Sequence, residues 1–328
     1  RFPANKSLGK LAGLFIGEDP PTPVDFEEIL QNPDETIRMQ SFSNLDGLQN
    51  IVRSVLAETG RTKSSSVFEM FKRVIEENGT LNLDQIQILS PRKYGSYGSE
   101  AINIRGVLLG EPSFRPGTKL ICEENIYHTI GSKKPRKRIL GLANGSIGYM
   151  KNSDDLYFED IEDLAEEFGE NEISVLKDRI LDNLYSPTES HTPINFGYAI
   201  TVHKSQGSDF DNVILVLSEV SPFITRELLY TALTRPRRRI HLVTHADLSK
   251  ELCSTFTKAY SNSEVERRRT LLFGEKDSPF KPFYLTKKNG QTIQVMSKIE
   301  YIIAKVHDDE GIAFETGPTE FLREHHLI

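Results

Sequence analysis

The residues Val213-Ile214-Leu215-Val216-Leu217 form an unbroken apolar, largely β-branched run. A run of that kind fits a strand buried on both faces of a parallel sheet. A helical pattern follows from Thr225 to Thr234, and then a second apolar strand, Ile240-His241-Leu242-Val243. Strand, helix, strand with both strands apolar is a βαβ unit, which belongs to α/β folds with helices on the faces of the sheet. Upstream, Leu8, Leu11, Leu14 and Phe15 fall at helical spacing, as do Leu45, Leu48, Ile51, Val52, Val55 and Leu56, and then Val67, Phe68, Phe71, Val74 and Ile75. Pro20-Pro21-Thr22-Pro23 breaks the first of these patterns from the rest. The period shortens to that of a strand at Gln85–Leu89, which runs into the loop Ser90-Pro91-Arg92-Lys93-Tyr94-Gly95-Ser96-Tyr97-Gly98.

Between Phe114 and Met150 the pattern changes to short strands with glycines at the corners, which predicts a small β-barrel. The stretch from Asp154 to Asp178 has eleven acidic residues in twenty-five and reads as a solvated connection with some helix. The chain has 328 residues, enough for two or three units at ~100–200 residues each. No apolar run approaches the ~20 residues that span a bilayer, so no membrane partner is expected. Cys122 and Cys253 lack metal-ligand spacing and read as unpaired thiols of a reducing, cytoplasmic compartment. The chain opens on Arg1 with no secretory leader, and reads as a piece of something longer. A net charge of -7 argues against non-specific binding to nucleic acid. The basic clusters Lys133–Arg138 and Arg235–Arg239 confine any nucleic-acid surface to local patches.

Two segments carry chemistry. In Tyr198-Ala199-Ile200-Thr201-Val202-His203-Lys204-Ser205-Gln206-Gly207-Ser208-Asp209-Phe210 a strand end runs into a loop of short donors and then into the buried strand. Such a loop, with a glycine for close approach, suits sugar-phosphate contacts. It suits the phosphate loop of a small-molecule enzyme equally well. In Leu228-Leu229-Tyr230-Thr231-Ala232-Leu233-Thr234-Arg235 an arginine ends a helix that follows a buried strand. From there it can project toward a ligand held by a neighbour, and its planar, permanently charged fork suits a developing phosphoryl charge. Pro236 should stop the helix.

These two segments, in this order, resemble motifs V and VI of superfamily 1 helicases. The Val-His-Lys-Ser-Gln-Gly form is similar to the branch that includes RecD and the Dda-type phage helicases, a 5′-to-3′ class. The resemblance covers residues 1 to 248 and implies a RecA-like parallel sheet with flanking helices and an inserted SH3-like barrel. It implies that Thr201 and His203 hold single-stranded DNA, with Lys204 and Ser205 in the same grip. Lys204, Ser205 and Gln206 would also link the grip to the nucleotide cleft, with Gln206 nearest both. Gly207 and Asp209 would bind the nucleotide, Asp209 at its sugar, and Arg235 would be the finger on the γ-phosphate. Tyr230 and Thr231 would orient the finger's helix. Arg1, in Arg1-Phe2-Pro3-Ala4-Asn5, resembles the motif IV arginine that touches the same phosphate.

Neither Gly-x-x-x-x-Gly-Lys-Ser/Thr nor a strand ending in Asp-Glu occurs, and a P-loop ATPase needs both. ATP and Mg²⁺ are therefore expected to be held mainly by a missing N-terminal motor domain, with no metal ligands in this chain. The other partners implied are single-stranded DNA and duplex junctions. The expected organisation is a second motor domain at 1–105 and 185–250, an insert with its acidic connection at 106–184, a helix and linker at 251–285, and an accessory segment at 286–328. Val295–Ala304, with Glu300, resembles the opening helix of PD-(D/E)xK nuclease-like domains, and the chain ends before such a site is complete. Two other readings compete with an ATP-driven helicase: a DNA-binding subunit without motor activity, and a nuclease-associated module.

Overall fold

The structure, a computed structural model, describes residues 6–17, 19–60, 64, 66–77, 79–108, 113–130, 137–185, 193–218, 224–262, 283–288 and 292–295. The chain divides into two units, Arg1–Asn262 and Ser263–Ile328. In the first, five strands form one parallel sheet in the order Ile37–Phe42, Pro236–His245, Phe210–Leu217, Ile86–Ser90, Ala199–Thr201. The apolar run of the sequence lies in the central strand, Phe210–Leu217, where every residue but Asp211 is buried.

Successive side chains of a strand point to opposite faces, and the central strand uses both. Val213, Leu215 and Leu217 enter one core with Leu8, Leu11, Phe15, Phe26, Leu228, Leu229 and Phe256. Ile214 and Val216 enter a second core with Leu48, Val52, Phe68 and Phe71. The first face is covered by the helices Ser7–Leu14, Pro23–Gln31, Arg226–Leu233 and Leu252–Tyr260. Leu45–Gly60 and Val67–Ile75 cover the second. The result is three layers, helices on a sheet on helices, as the βαβ pattern predicts. The proline break ends in a start signal: Thr22 N donates to the Asp25 carboxylate at 2.7 Å, with Pro23 opening the helix. The strand Ile37–Phe42 was not legible in the sequence, because only its end residues are buried and its middle is exposed.

The predicted barrel region folds as two separate ladders among the described residues. One is a four-stranded antiparallel sheet, ordered Ile194–Phe196, Lys119–Cys122, Ile147–Met150, Leu156–Phe158. The other is the hairpin Ile126–Ile130 with Lys137–Leu142. The acidic stretch is more than a solvated connection. It forms the helices Glu159–Phe168 and Glu170–Tyr185, whose Ile161, Ile173, Leu176 and Ile180 are buried against Leu120, Leu142 and Phe158. Its acids lie partly in the first helical turns, where negative charge is favoured by the helix dipole.

The segment 194–201 passes from the small sheet to the edge of the main one, and buried polar groups fix that passage. Asn103 Nδ2 donates to Phe196 O and Ala199 O, both at 2.9 Å, while Ala199 N donates to Asn103 Oδ1 at 2.7 Å. Gln87 Nε2 donates to Gly197 O at 3.0 Å and Tyr198 O at 2.9 Å. Lys119, fully buried, points its Nζ at Leu83 O, Ile86 O and Gln87 Oε1, at 2.8 to 2.9 Å. A side chain at Gly197 would meet Leu120 O at 2.5 Å. Gly197→Ala is therefore expected to lower stability by about 1–3 kcal/mol, read as a lower urea midpoint with an unchanged slope.

The described part of the second unit is an antiparallel hairpin, Phe283–Thr286 with Thr292–Val295. Glu300 and the rest of the nuclease-like segment after Val295 lie outside the described residues, as do Arg1 and most of the basic run 133–138. Among the described residues, no helix is long and apolar enough to cross a membrane.

Candidate nucleic-acid and nucleotide interface

The loop 202–209 joins opposite ends of the sheet. Thr201 ends the edge strand level with Ser90. The central strand begins at Phe210 and reaches Asn212 level with Ile86. Phe210 therefore lies about six residue levels below Thr201, or roughly 20 Å along the strands at ~3.3 Å per residue. One short loop thus links the carboxyl end of the sheet to its amino end.

At the upper end, His203–Ser205 forms a single 3₁₀ turn. Thr201, half-buried, accepts the Lys204 backbone N–H at Oγ1 over 3.3 Å. His203 and Gln206 are exposed. Ser205 departs from its expected role: it is fully buried, and its hydroxyl donates to Val202 O at 2.7 Å. Its task is to close the turn, so it presents no group to a strand. Lys204 leans back, its Nζ 3.5 Å from both the carboxylate and the carbonyl oxygen of Glu123. Gly207 has φ +88°, a conformation that glycine adopts without strain.

At the lower end the two motifs meet. Phe210 N donates to Arg235 O at 2.9 Å. The Arg235 guanidinium donates to Ser208 O at 2.8 Å, Thr231 O at 3.1 Å and Thr234 Oγ1 at 3.2 Å. It stands 3.6 Å from Asp209 Oδ1. The two motifs thus lie side by side. The sequence has Arg235 projecting outward, and here the structure differs: its side chain is only 17% exposed, against 56% for Asp209. The physical reason is the ring of acceptors that its own loop and helix end present. Thr231 serves this arrangement through its carbonyl, and Tyr230, partly exposed, through its carbonyl to Thr234. The helix stops at Leu233 and Pro236 opens the next strand, as the proline requires.

The remaining basic run is paired too. Arg237 reaches Asp84 at 3.1 Å, Arg238 reaches Asp211 at 3.6 Å, and Arg239 pairs with Glu58. A polar cleft of about 450 Å³ adjoins the lower end, lined among others by Asp84, Ser146, Asp160, Gly207, Asp209 and Arg237. Among the described residues, no group of three or more acidic, histidine or cysteine side chains is placed to hold a metal ion.

Sequence reasoning missed Lys93 and Glu123. Glu123 sits at the centre of a triad, its carboxylate 2.9 Å from Lys93 Nζ on one oxygen and 3.5 Å from Lys204 Nζ on the other. Burial works to raise its carboxyl, but the Lys93 hydrogen bond and the two ammonium charges win and hold it below the ordinary carboxylate range. The positive signal was Lys93 itself, in a polar loop directly after a buried strand. Glu123 gave none, because its partners lie 30 and 81 residues away.

Residues 196–243 match the family model of the UvrD-like helicase C-terminal domain. An uncharacterized protein of Methanocaldococcus jannaschii is 25% identical over 351 residues, covering 94% of this chain and 28% of that one. The ATP-dependent RecD2 DNA helicase of Deinococcus radiodurans is 25% identical over 195 residues, 56% of this chain and 23% of that one. The RecBCD enzyme subunit RecD of Mycobacterium tuberculosis is 53% identical over 47 residues, 14% of this chain and 8% of that one. The chain spans less than a third of the length of each of these relatives. Together the likenesses support a C-terminal region of the superfamily 1 helicase type.

Proposed function

We propose that residues 1–262 are the second motor domain of an ATP-dependent superfamily 1 DNA helicase, with the two ladders built from 119–158 and 194–196 as the SH3-like insert of the RecD-like branch. The observation that carries this reading is the loop 202–209. It is bounded above by Thr201 and His203, where a strand would lie, and below by Asp209 and Arg235, where a nucleotide would lie. A shift at either end is transmitted along one short, internally bonded segment. Thr201, His203 and Lys204 are the groups for single-strand phosphates. Gln206 and Gly207 form the link, Asp209 faces the nucleotide sugar, and Arg235 is the finger. ATP and Mg²⁺ are held mainly by a P-loop domain outside this chain, and Arg1, by its resemblance to the motif IV arginine, would be a second contact to the γ-phosphate. The duplex junction ahead of the single strand is the second nucleic-acid partner.

The inward Arg235 favours one alternative, a DNA-binding subunit that grips a strand and never fires ATP. The two readings share the grip, which is tested directly. Replacing both Thr201 and His203 with alanine is expected to weaken binding of oligothymidylate through lost hydrogen bonds, with little change in its log–log salt dependence, because that slope counts phosphates neutralised by cations. Binding equal to that of the wild type removes the grip from both readings.

A further inference from the structure

We infer that Glu123 is a built-in stand-in for a backbone phosphate, keeping Lys93 and Lys204 paired until single-stranded DNA displaces it. The inference rests on the single-strand grip proposed above, and adds to it a second cation and a residue that sets its affinity.

The geometry is that of an anion site already filled by an anion. The two carboxylate oxygens face different lysines, Lys93 at 2.9 Å and Lys204 at 3.5 Å, as two phosphate oxygens could. Asn195 Nδ2 adds a contact of 3.5 Å to the Lys93 side. The carboxylate is the covered member of the triad, its side chain 12% exposed against 33% for Lys93 and 24% for Lys204. The lysines therefore meet solvent more readily than their partner does. Both belong to the upper end of the sheet. Lys204 lies on the turn that follows Thr201, and Lys93 on the loop that follows Ser90, which is level with Thr201.

That second loop is held in place by Ser99 N donating to Arg92 O at 2.9 Å and Glu100 N donating to Lys93 O at 3.1 Å. Next to Lys93 it displays Tyr94, 68% exposed, with the ammonium 5.5 Å from its ring centre. A cation beside an exposed aromatic suits a nucleotide, with phosphate on one and base stacked on the other. Glu123 comes from the other side, just past the small-sheet strand Lys119–Cys122. The small sheet thereby contributes an acid that competes for the main sheet's cations.

Charge decides the direction of the effect. Two lysines and one carboxylate leave a single net positive charge, and freeing the carboxylate's share gives a phosphate two cations. Glu123→Gln should tighten binding of fluorescein-labelled oligothymidylate by the full 328-residue chain, roughly three- to five-fold at low salt, and steepen the salt slope. Glu124→Gln, the same change of charge on the exposed neighbour, should do distinctly less. Lys93→Gln should weaken binding and lower the slope by about 0.7. If Glu123→Gln binds no more tightly than the wild type, or if Glu124→Gln tightens binding as much, the inference is overturned and the grip stands. A folded Lys93→Gln with an unchanged slope overturns it as well, and this holds even if the Glu123 variant does not fold. A wild-type chain that shows no single-strand binding overturns both the inference and the grip.

Discussion

Replacing Arg235 with alanine, in a protein that also carries the P-loop domain, is expected to lower DNA-stimulated ATP turnover by about three orders of magnitude or more, with single-strand binding largely preserved. In the structure the guanidinium is turned inward onto Ser208 O, Thr231 O and Thr234 Oγ1, with Asp209 at 3.6 Å. Because the donor is a charged guanidinium, each of these bonds contributes roughly 1.5–3 kcal/mol net, while an ion pair to a half-exposed aspartate contributes about 1 kcal/mol at most. A γ-phosphate would have to displace these holds, and offers in exchange bidentate bonds in which both partners are charged. The same contacts define the competing role, a brace that fastens the end of the Arg226–Leu233 helix to the loop 202–209. A brace predicts a lower melting temperature and weaker DNA binding together. A finger predicts lost turnover with both retained. Unchanged turnover in Arg235→Ala removes the finger and leaves the non-motor reading.

The second large effect concerns stability. Between pH 7 and pH 9 the wild-type chain should gain stability over Lys119→Met by up to about 1.4 kcal/mol per pH unit. Burial pushes the Lys119 ammonium down to about 7, against a small upward pull from Asp84. In the unfolded chain the same group titrates at about 10.4. Below pH 7 both states hold the proton, and the destabilising effect of the buried charge is felt in full. Above it the folded chain sheds a proton that the unfolded chain keeps, so stability rises with pH until the unfolded group also titrates. Methionine at 119 removes the titration while leaving Leu83 O, Ile86 O and Gln87 Oε1 without this donor. Urea midpoints of both proteins at pH 7, 8 and 9 give the result. Parallel stability curves would show that the group does not titrate in this range.

Much of the main sheet was legible because its signals are local. The run Val213–Leu217, the helix before Arg235 and the helices at 45–60 and 67–75 each declare themselves within a dozen or so residues. The pairing of the two motifs was legible for a related reason. The loop 202–209 enters the central strand directly, and a single helix returns the chain to the strand beside it. The strand Ile37–Phe42 escaped notice because an edge strand with an exposed middle has no apolar pattern. The helix in the acidic stretch was legible, but its buried side was not, because the buried residues are spread among many charges.

What the amino-acid order determined by itself, then, is the α/β class, the strand–helix–strand unit and the neighbourhood of Gly207 and Arg235. These depend on periodicity and on contacts across one short connection. Tertiary structure alone decided that Ser205 faces inward, that Arg235 turns back on its own loop, and that Glu123 sits between Lys93 and Lys204. It also decided that Lys119 is buried among three oxygens at the seam of two sheets. Side-chain direction and ion pairing are set by which distant backbone groups arrive at the same point, and that is fixed by strand register and packing, not by neighbours in the chain.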